Sequence, residues 1–352
     1  MKKSLIAFLS LTVLMMIAAC GNSSTESVAN ENENSSENTE EKILLKVGDS
    51  FPTTNDLSSE GIVFFMDKVE ELTDGQVEFE YYPAEQVGKA DSYLDLTLAK
   101  SIDIGYTSYS TDRLPLSEVA TLPGAYNTAE EGSKIIWNLV QDFLMEEEYL
   151  KNGVRPLYAV AIPQYQLATA KSPITSLEDI KGKKVRVTGT MELAFDELGA
   201  SPVFMPATEA YTAMERGTVD GLVFPFTSFK PYQIESLAKY STKNANFGSF
   251  TVIYSINEEV YNDLPENVKE AMQKAGDEVV EHLSTFLDKK IDELIEEFSS
   301  DIEMYELSEE EVKEWDMALE PAWDAWAEDL DNRGFKGTET VERFRELRDE
   351  LN

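Results

Sequence analysis

The sequence predicts an α/β protein of two lobes, for three reasons. Residues 176–226 alternate between helical and strand patterns, in the order helix, strand, helix, strand, helix, strand, which is typical of a sheet covered by helices. The chain has 352 residues, which is long for a single hydrophobic core. Two apolar, β-rich stretches, 160–166 and 250–256, are the predicted places where the chain crosses to a second lobe and returns.

The first strand in this region carries an arginine at the place where a ligand cleft is expected. Ser176 suits the cap of the short helix before it, and Gly182 suits that helix's end. The strand then alternates, with Val185 and Val187 on one face and Arg186 on the other. Open α/β sheets bind ligands beyond the carboxyl ends of their strands, where the next helix start adds free N–H donors. Arg186 is therefore a candidate clamp for a carboxylate, and the alternative is an arginine in a surface ion pair.

Several sequence motifs, in order and spacing, resemble those of one known family, the solute-binding proteins of TRAP transporters, to which the C4-dicarboxylate-binding protein belongs. The resemblance covers roughly residues 43 to 350. The motifs that carry it are Ser176-Leu-Glu-Asp-Ile-Lys-Gly-Lys-Lys-Val-Arg-Val187, Leu198-Gly-Ala-Ser-Pro-Val203, Tyr211-Thr-Ala-Met214, Gly217-Thr-Val-Asp-Gly221, Tyr82-Pro-Ala-Glu-Gln-Val-Gly88, Leu122-Pro-Gly124 and Leu264-Pro-Glu266.

The resemblance implies both a fold and a function. The fold is a two-lobe, periplasmic-binding-protein-like fold of type II, with the ligand cleft between the lobes and a long helix spanning both. The function is capture of a small organic acid, which is passed to the TRAP integral-membrane subunits, with an ion gradient acting on those subunits as the energy source. In the family the arginine at the position of Arg186 clamps the ligand carboxylate. Catalytic motifs are absent from the sequence, so no enzymatic activity and no cofactor are expected, and no residue is assigned to a metal.

Two departures from the family pattern bear on the ligand. Many members have an asparagine before the proline of the motif that ends here in Phe224, and that asparagine helps to hold the carboxylate. Sialic-acid binders also carry a second arginine near the position of Gln166. Both changes replace polar contacts with weaker or apolar ones, which favours a smaller or more apolar acid over sialic acid. The alternative for Phe224 is that its ring points into the core of the second lobe.

In the first lobe, two strand ends are predicted to face the cleft opposite the arginine, one beginning at Asp49 and the other at Tyr106. Phe51, Tyr106, Ser108 and Tyr109 are the candidate ligand contacts there. The alternative for the two tyrosines is half-buried packing with the hydroxyl group at the edge.

The predicted domain boundaries follow from these patterns. Residues 43–163 form lobe I, 164–250 form lobe II, and 251–352 return to lobe I with a long spanning helix and C-terminal helices. The long helical pattern runs over roughly 266–298. A following helix places an aromatic face along one side, which predicts core packing rather than an aromatic cage for a cation; its members are Trp315, Leu319, Trp323 and Trp326.

The N-terminal region predicts export and anchoring. Residues 1–19 have the basic start and short apolar run of a secretory signal, too short for a membrane span. The sequence Ile17-Ala-Ala-Cys20-Gly21 resembles the lipobox of bacterial lipoproteins, which implies a lipid on Cys20; the alternative is an ordinary signal with a chance cysteine. Residues 20–42 are predicted to be a disordered tether, because they contain almost no apolar side chains. The expected location is the extracellular face of the cell membrane.

Composition excludes several other functions. With 67 acidic and 30 basic residues, the chain has a formal net charge of −37 and is not expected to bind nucleic acid. One cysteine and one histidine, His282, exclude a thiolate cluster and a multi-histidine metal site. The motifs G-x-S-x-G, G-x-x-x-x-G-K-[ST] and G-x-G-x-x-G do not occur. The remaining alternatives are the binding protein of an ATP-driven importer and, in another class, a secreted hydrolase.

Overall fold

A computed structural model describes residues 42–351 apart from 109, 111 and 206, and shows two sheets, each covered by helices. The predicted signal segment 1–19, Cys20, most of the tether and Tyr109 lie outside the described residues. Within the part that is described, no helix is both long enough and apolar enough to cross a membrane.

The strands and helices are numbered in chain order. The strands are β1 Ile43–Gly48, β2 Val77–Tyr82, β3 Ile104–Tyr106, β4 Val154–Ala161, β5 Gln166–Thr169, β6 Lys184–Val187, β7 Ser201–Phe204, β8 Gly221–Phe224, β9 Tyr240–Thr242, β10 Thr251–Asn257 and β11 Glu303–Tyr305. The α-helices are α1 Phe64–Leu72, α2 Tyr93–Leu98, α3 Ala129–Leu139, α4 Leu177–Ile180, α5 Met191–Glu197, α6 Ala207–Glu215, α7 Glu258–Asp263, α8 Glu266–Phe298, α9 Glu309–Asn332 and α10 Gly337–Leu351. A π-helical turn, Ser58–Val63, precedes α1, a 3-10 segment spans Leu116–Thr121, and a π-helical segment, Val140–Tyr149, continues α3.

Local sequence signals explain several helix starts. Ser176 and Asp179 form a capping box at α4, and Ser308 and Glu311 form another at α9, since each pair satisfies two N–H groups reciprocally. Thr128 caps α3 by accepting a hydrogen bond from the main-chain N–H of Glu131.

The two sheets define the two lobes. Lobe I has strand order β2-β1-β3-β10-β4, in which β1 runs parallel to β2 and β3, and β10 runs antiparallel to β3 and β4. Lobe II has strand order β11-β9-β5-β8-β6-β7, in which β6 runs parallel to β7 and β8, and β5 runs antiparallel to β8 and β9. The predicted α/β class with two lobes is thus what the molecule shows.

Two segments of chain join the lobes side by side. The chain leaves lobe I after β4, crosses through residues 162–165, and returns through 245–250 into β10. The crossings bond to each other, with Ile162 N–H donating to the carbonyl of Phe250 at 3.0 Å and Tyr165 N–H donating to the carbonyl of Gly248 at 2.8 Å. The second crossing lies earlier than predicted, because 251–257 already form a buried strand of the lobe I sheet.

Two helices extend across both lobes. The first part of α8 packs into the lobe I core through residues such as Met272 and Leu283, whereas its end packs Leu294 and Phe298 into lobe II. The second spanning helix, α9, was predicted only as a helix with an aromatic core face. Its first half buries Trp315 and Leu319 in lobe II, and its second half buries Trp323, Trp326 and Leu330 in lobe I.

Candidate ligand-binding site

The strand ends of lobe I face lobe II because of how the strands pair. In β3 and β10, Tyr106 lies directly opposite Tyr254, and β10 begins at Thr251 immediately after the crossing from lobe II. The carboxyl end of β3 therefore points toward lobe II, and so does that of its parallel neighbour β1. This edge carries Asp49 and Phe51 after β1, and Ser108 after β3.

The same reasoning orients lobe II. β5 begins at Gln166 directly after the first crossing, and Gln166 lies opposite Phe224 at the end of β8. Because β6 runs parallel to β8, with Arg186 opposite Leu222, the carboxyl end of β6 points toward lobe I. Arg186 and Phe224 thus lie at the lobe II edge, facing the lobe I edge described above.

Arg186 is buried and held by the main chain of its own lobe. Only 3% of its surface is exposed. Its Nε donates to the carbonyl of Met205 at 3.1 Å, and its Nη1 donates to the carbonyl of Val223 at 3.2 Å. Both acceptors are main-chain carbonyls, and they help to orient the guanidinium plane. A planar cation fixed in this way matches the two oxygens of a carboxylate.

Phe224 lies beneath this guanidinium. The Arg186 Cζ atom is 4.9 Å from the centre of the Phe224 ring, a cation–π distance. The ring is only 1% exposed and packs edge-on against Tyr232 and at a tilt against Phe229. Phe224 therefore packs in the lobe II core, which is the alternative considered from sequence, and its ring also lies against the guanidinium group of Arg186.

Gln166 is engaged by the crossing segments. Its Nε2 donates to the carbonyls of Ala245 at 2.7 Å and Gln164 at 3.3 Å. Its Oε1 accepts hydrogen bonds from Thr242 Oγ1 at 2.9 Å and from the N–H of Ala245 at 3.0 Å. These four bonds use the full capacity of a side-chain amide. Gln166 accordingly ties the two crossings together, which leaves its amide no further donor or acceptor for a ligand.

The predicted contacts of lobe I are only partly assembled as expected. Phe51 is half-buried, and its ring meets that of Tyr106 edge-to-face at 5.1 Å. Tyr106 itself is fully buried and lies 5.3 Å from the ring of Tyr254. Ser108 is half-buried, and its hydroxyl oxygen accepts a hydrogen bond from the N–H of Ile253 at 2.8 Å. Phe51 therefore presents the ring on this edge, and Tyr106 backs it.

The predicted helix start after β6 contributes less than expected. The N–H groups of Met191 and Glu192 in α5 donate to the carbonyls of Thr188 and Gly189, both at 3.3 Å, within the turn itself. These two groups are therefore used locally rather than offered to an anion. The turn instead meets lobe I, because the Thr190 hydroxyl lies 3.1 Å from that of Thr121.

The family is decided by comparison with known proteins. A model of the family described as bacterial extracellular solute-binding protein, family 7, matches residues 49–329. The chain belongs to this family. A C4-dicarboxylate-binding periplasmic protein of Rhodobacter capsulatus is 25% identical over 294 residues, which is 80% of this chain and 84% of the relative. A sialic acid-binding periplasmic protein of Vibrio cholerae is 25% identical and covers 67% of this chain and 74% of its own.

Solved structures of the family share the fold. A TRAP solute-binding protein of Rhodoferax ferrireducens, in complex with copurified benzoate, has a TM-score of 0.76 at 23% identity, covering 88% of this chain and 98% of its own. A marine-metagenome TRAP protein specific for aromatic acids, in complex with 3-hydroxybenzoate, has a TM-score of 0.77 at 22% identity, covering 88% and 99%. These findings confirm the predicted two-lobe type II fold.

Family membership also confirms the predicted function at the level of the family. The chain is a bacterial extracellular solute-binding protein of family 7. The match favours this function over that of a hydrolase.

The sequence predicted Asp49 only as part of a strand end and assigned it no role in the site. The carboxylate of Asp49 is fully buried beside the cleft edge of lobe I and accepts hydrogen bonds from two tyrosines, Tyr81 and Tyr254. Burial, followed by the charge of Asp49, raises the pKa of Tyr254 well above its usual range, so this hydroxyl remains a donor. The sequence signal was an acidic residue directly after an apolar central strand, where solvation is poor.

The sole histidine lies away from the cleft edges. His282 on α8 stacks on Phe64 with ring centres 4.1 Å apart and contacts Glu60 at 2.9 Å, and it is half-buried. Among the described residues, no group of three histidine, cysteine or acidic side chains is arranged to hold a metal.

Proposed function

We propose that this protein captures a small aromatic monocarboxylate, with its carboxylate on Arg186 and its ring against Phe51. The observation that carries the proposal is the pairing of a buried, oriented arginine on the lobe II edge with an aromatic surface on the lobe I edge. A ligand between these edges would have its charge and its ring recognised by different lobes.

The chemistry of the lobe II edge supports an apolar acid. Phe224 stands where many relatives have an amide, and its ring is covered by the guanidinium and the lobe II core. Gln166 lies near the place of a second arginine in sialic-acid binders, and its side-chain amide is already hydrogen-bonded to Ala245 and Thr242. A sugar hydroxyl buried without a partner would cost about 1–3 kcal/mol. An apolar ligand group instead gains roughly 25 cal/mol per Å² buried.

Relatives with the same fold support the ligand class. The structures from Rhodoferax ferrireducens and the marine metagenome hold benzoate and 3-hydroxybenzoate, and one from Bordetella bronchiseptica holds mandelate. The experiment is a thermal-shift screen of benzoate, 3-hydroxybenzoate, mandelate, succinate and sialic acid, followed by titration calorimetry. A ligand at about 100 times its Kd stabilises the fold by about 2.7 kcal/mol. Binding of succinate or sialic acid without any response to the aromatic acids would overturn the proposal.

We propose further that the protein works at the outer face of the cell membrane, anchored by a lipid on Cys20 and delivering its ligand to the TRAP integral-membrane subunits. The lipobox-like sequence at 17–21 supports the anchor, and the acidic, polar stretch after it supports a tether. The match to an extracellular family supports the location.

A further inference from the structure

The carboxylate of Asp49 is saturated with hydrogen bonds. Its Oδ1 accepts from the N–H of Phe51 at 2.8 Å and from the Tyr254 hydroxyl at 2.6 Å. Its Oδ2 accepts from the hydroxyls of Ser58 at 2.8 Å and Tyr81 at 2.7 Å. The side chain has no exposed surface. A buried carboxylate that already accepts four hydrogen bonds has little capacity left for a ligand.

The donors to Asp49 come from separate parts of lobe I. Tyr81 lies on β2, Tyr254 lies on β10, and Ser58 begins the π-helical turn before α1. The main chain of Asp49 is fixed as well, because its N–H donates to Tyr82 and its carbonyl accepts from the Tyr93 hydroxyl at 2.8 Å. The residue therefore sets the positions of its partners relative to one another.

One oxygen of this carboxylate holds both ends of an aromatic wall. Phe51, Tyr106 and Tyr254 follow one another, with ring centres 5.1 Å and 5.3 Å apart. Tyr106 and Tyr254 are paired residues of neighbouring strands, so their spacing is set by the sheet. Phe51 lies outside the strands, in the loop after β1, where its carbonyl accepts a hydrogen bond from the N–H of Ala84 at 2.8 Å. Its main-chain bond to Oδ1 of Asp49, which Tyr254 shares, joins the loop to the sheet.

The charge of Asp49 favours one orientation of an anionic ligand in the cleft. It lies on the lobe I edge, opposite the Arg186 cation on the lobe II edge. An anionic ligand is repelled by one edge and attracted by the other, and the low dielectric of a closed cleft strengthens both effects. The uncharged ring of the ligand is therefore directed toward Phe51.

We propose that Asp49 is a positioning residue that sets the preference for an aromatic ring, by holding Phe51 against Tyr106 and Tyr254. The inference rests on the proposed function, since it concerns the part of the ligand that Arg186 does not bind. Asp49 itself does not contact the ligand in this account.

The test is a comparison of two ligands in the full folded protein. Benzoate requires the carboxylate clamp and the ring wall, whereas butyrate requires chiefly the clamp. Calorimetry measures the Kd of benzoate, and displacement of benzoate gives that of butyrate. In Asp49→Asn one oxygen becomes an N–H₂ group facing hydroxyl donors. The Kd of benzoate should rise about 10–100-fold, as for loss of a charged hydrogen bond, and that of butyrate by less than about 3-fold.

Two further variants keep the test decisive. Tyr254→Phe keeps the ring but removes one donor to Oδ1, and it should lower the benzoate preference by about 3–10-fold, as for a neutral bond. Asp103→Asn is the matched control, because Asp103 accepts a main-chain hydrogen bond from Lys46 at 2.7 Å at the opposite end of the same strands. It should leave the preference unchanged.

The outcomes separate the two proposals. If the wild-type protein binds no aromatic monocarboxylate, the proposed function fails and this inference fails with it. If the wild-type protein prefers benzoate, and both Asp49→Asn and Tyr254→Phe keep that preference, only the role of Asp49 is overturned. If Asp49→Asn does not fold, the Tyr254→Phe result decides.

Discussion

At the scale of single residues, the orientation of the Arg186 guanidinium group depends on the residues that surround it in the fold. Two carbonyls fix its plane and the ring of Phe224 lies under it. The sequence predicted the strand that carries Arg186 and the face on which it lies, because alternation and the following turn are local properties. The sequence did not predict that the side-chain amide of Gln166 forms its hydrogen bonds within the protein, because its partners Thr242 and Ala245 lie more than seventy residues away in the chain.

Replacement of Arg186 tests the clamp. We expect Arg186→Ala to weaken binding of an aromatic acid by about 2–5 kcal/mol, the range for breaking a desolvated charge pair. Arg186→Lys should recover only part, because an ammonium group lacks the planar fork of donors. Titration calorimetry measures both. Arg216 is an exposed arginine of the same lobe, and Arg216→Ala is the matched control. Equal affinity in the Arg186→Ala and Arg216→Ala variants would remove Arg186 from the site.

Replacement of Phe224 tests whether its ring acts through the arginine. Phe224→Leu keeps an apolar side chain but removes the π face, so we expect binding to weaken by about 0.5–2 kcal/mol. Phe229→Leu is the control, because Phe229 belongs to the same core cluster and neighbours Phe224. Both variants should lose similar thermal stability, whereas only the first should lose affinity in calorimetry. Parallel losses of affinity would mean that Phe224 serves the core alone.

At the scale of elements, hydrophobic periodicity predicted where the helices lie better than it predicted which core each helix packs against. The helical pattern over 266–298 coincides with α8. For α9 the pattern gave the buried face but not the change of lobe within it, which occurs beside Pro321. A pattern of apolar residues states that a face is buried, but the identity of the core that buries it depends on the tertiary fold. The π-helical segment 140–149 carried no sequence signal that distinguished it from an α-helix.

That π-helical segment buries an acidic residue with a measurable consequence. Glu148 is buried, and its Oε1 accepts a hydrogen bond from the N–H of Leu116 at 2.6 Å, while its Oε2 finds no partner among the described residues. Burial raises the pKa of Glu148 to about 8, and burial raises that of neighbouring Glu118 to about 7. A raised carboxyl pKa means that the folded state holds the proton more tightly than the unfolded state does.

The sign of the pH effect follows directly. The contribution of Glu148 to stability is complete below the unfolded pKa of about 4.5 and is lost as pH rises to about 8. We expect Glu148→Gln to raise the free energy of unfolding by about 1–3 kcal/mol at pH 8 and by less than about 1 kcal/mol at pH 5. Urea denaturation at the two pH values measures this. Glu146→Gln, at an exposed neighbour, should show no such difference. A Glu148→Gln effect of equal size at both pH values would contradict the argument.

At the scale of the whole molecule, the net charge opposes the proposed anchoring at the membrane. The formal net charge is −37, so the folded body is repelled by anionic lipid headgroups within about one Debye length, roughly 8 Å at physiological ionic strength. The net charge therefore does not hold the protein at the membrane, and the proposed retention depends on another part of the chain. The lipobox-like sequence supplies one residue able to do this, Cys20.

Replacement of Cys20 tests that mechanism of retention. Cys20→Ser removes the thiol to which a lipid would be attached, and a serine in the same place adds no affinity for a bilayer. Folding should not change, because the family match begins at residue 49 and the two sheets are formed by residues after 42. We expect the variant to appear in the medium with the melting temperature and ligand response of the wild-type protein. Cell fractionation with mass spectrometry of the N-terminal peptide measures location and lipid together.

Ser23→Ala, a neighbour in the same polar stretch, is the control and should stay at the membrane. Retention of Cys20→Ser in the membrane fraction without lipid would refute the lipid anchor, because the repulsion just described leaves no other contribution from the acidic body.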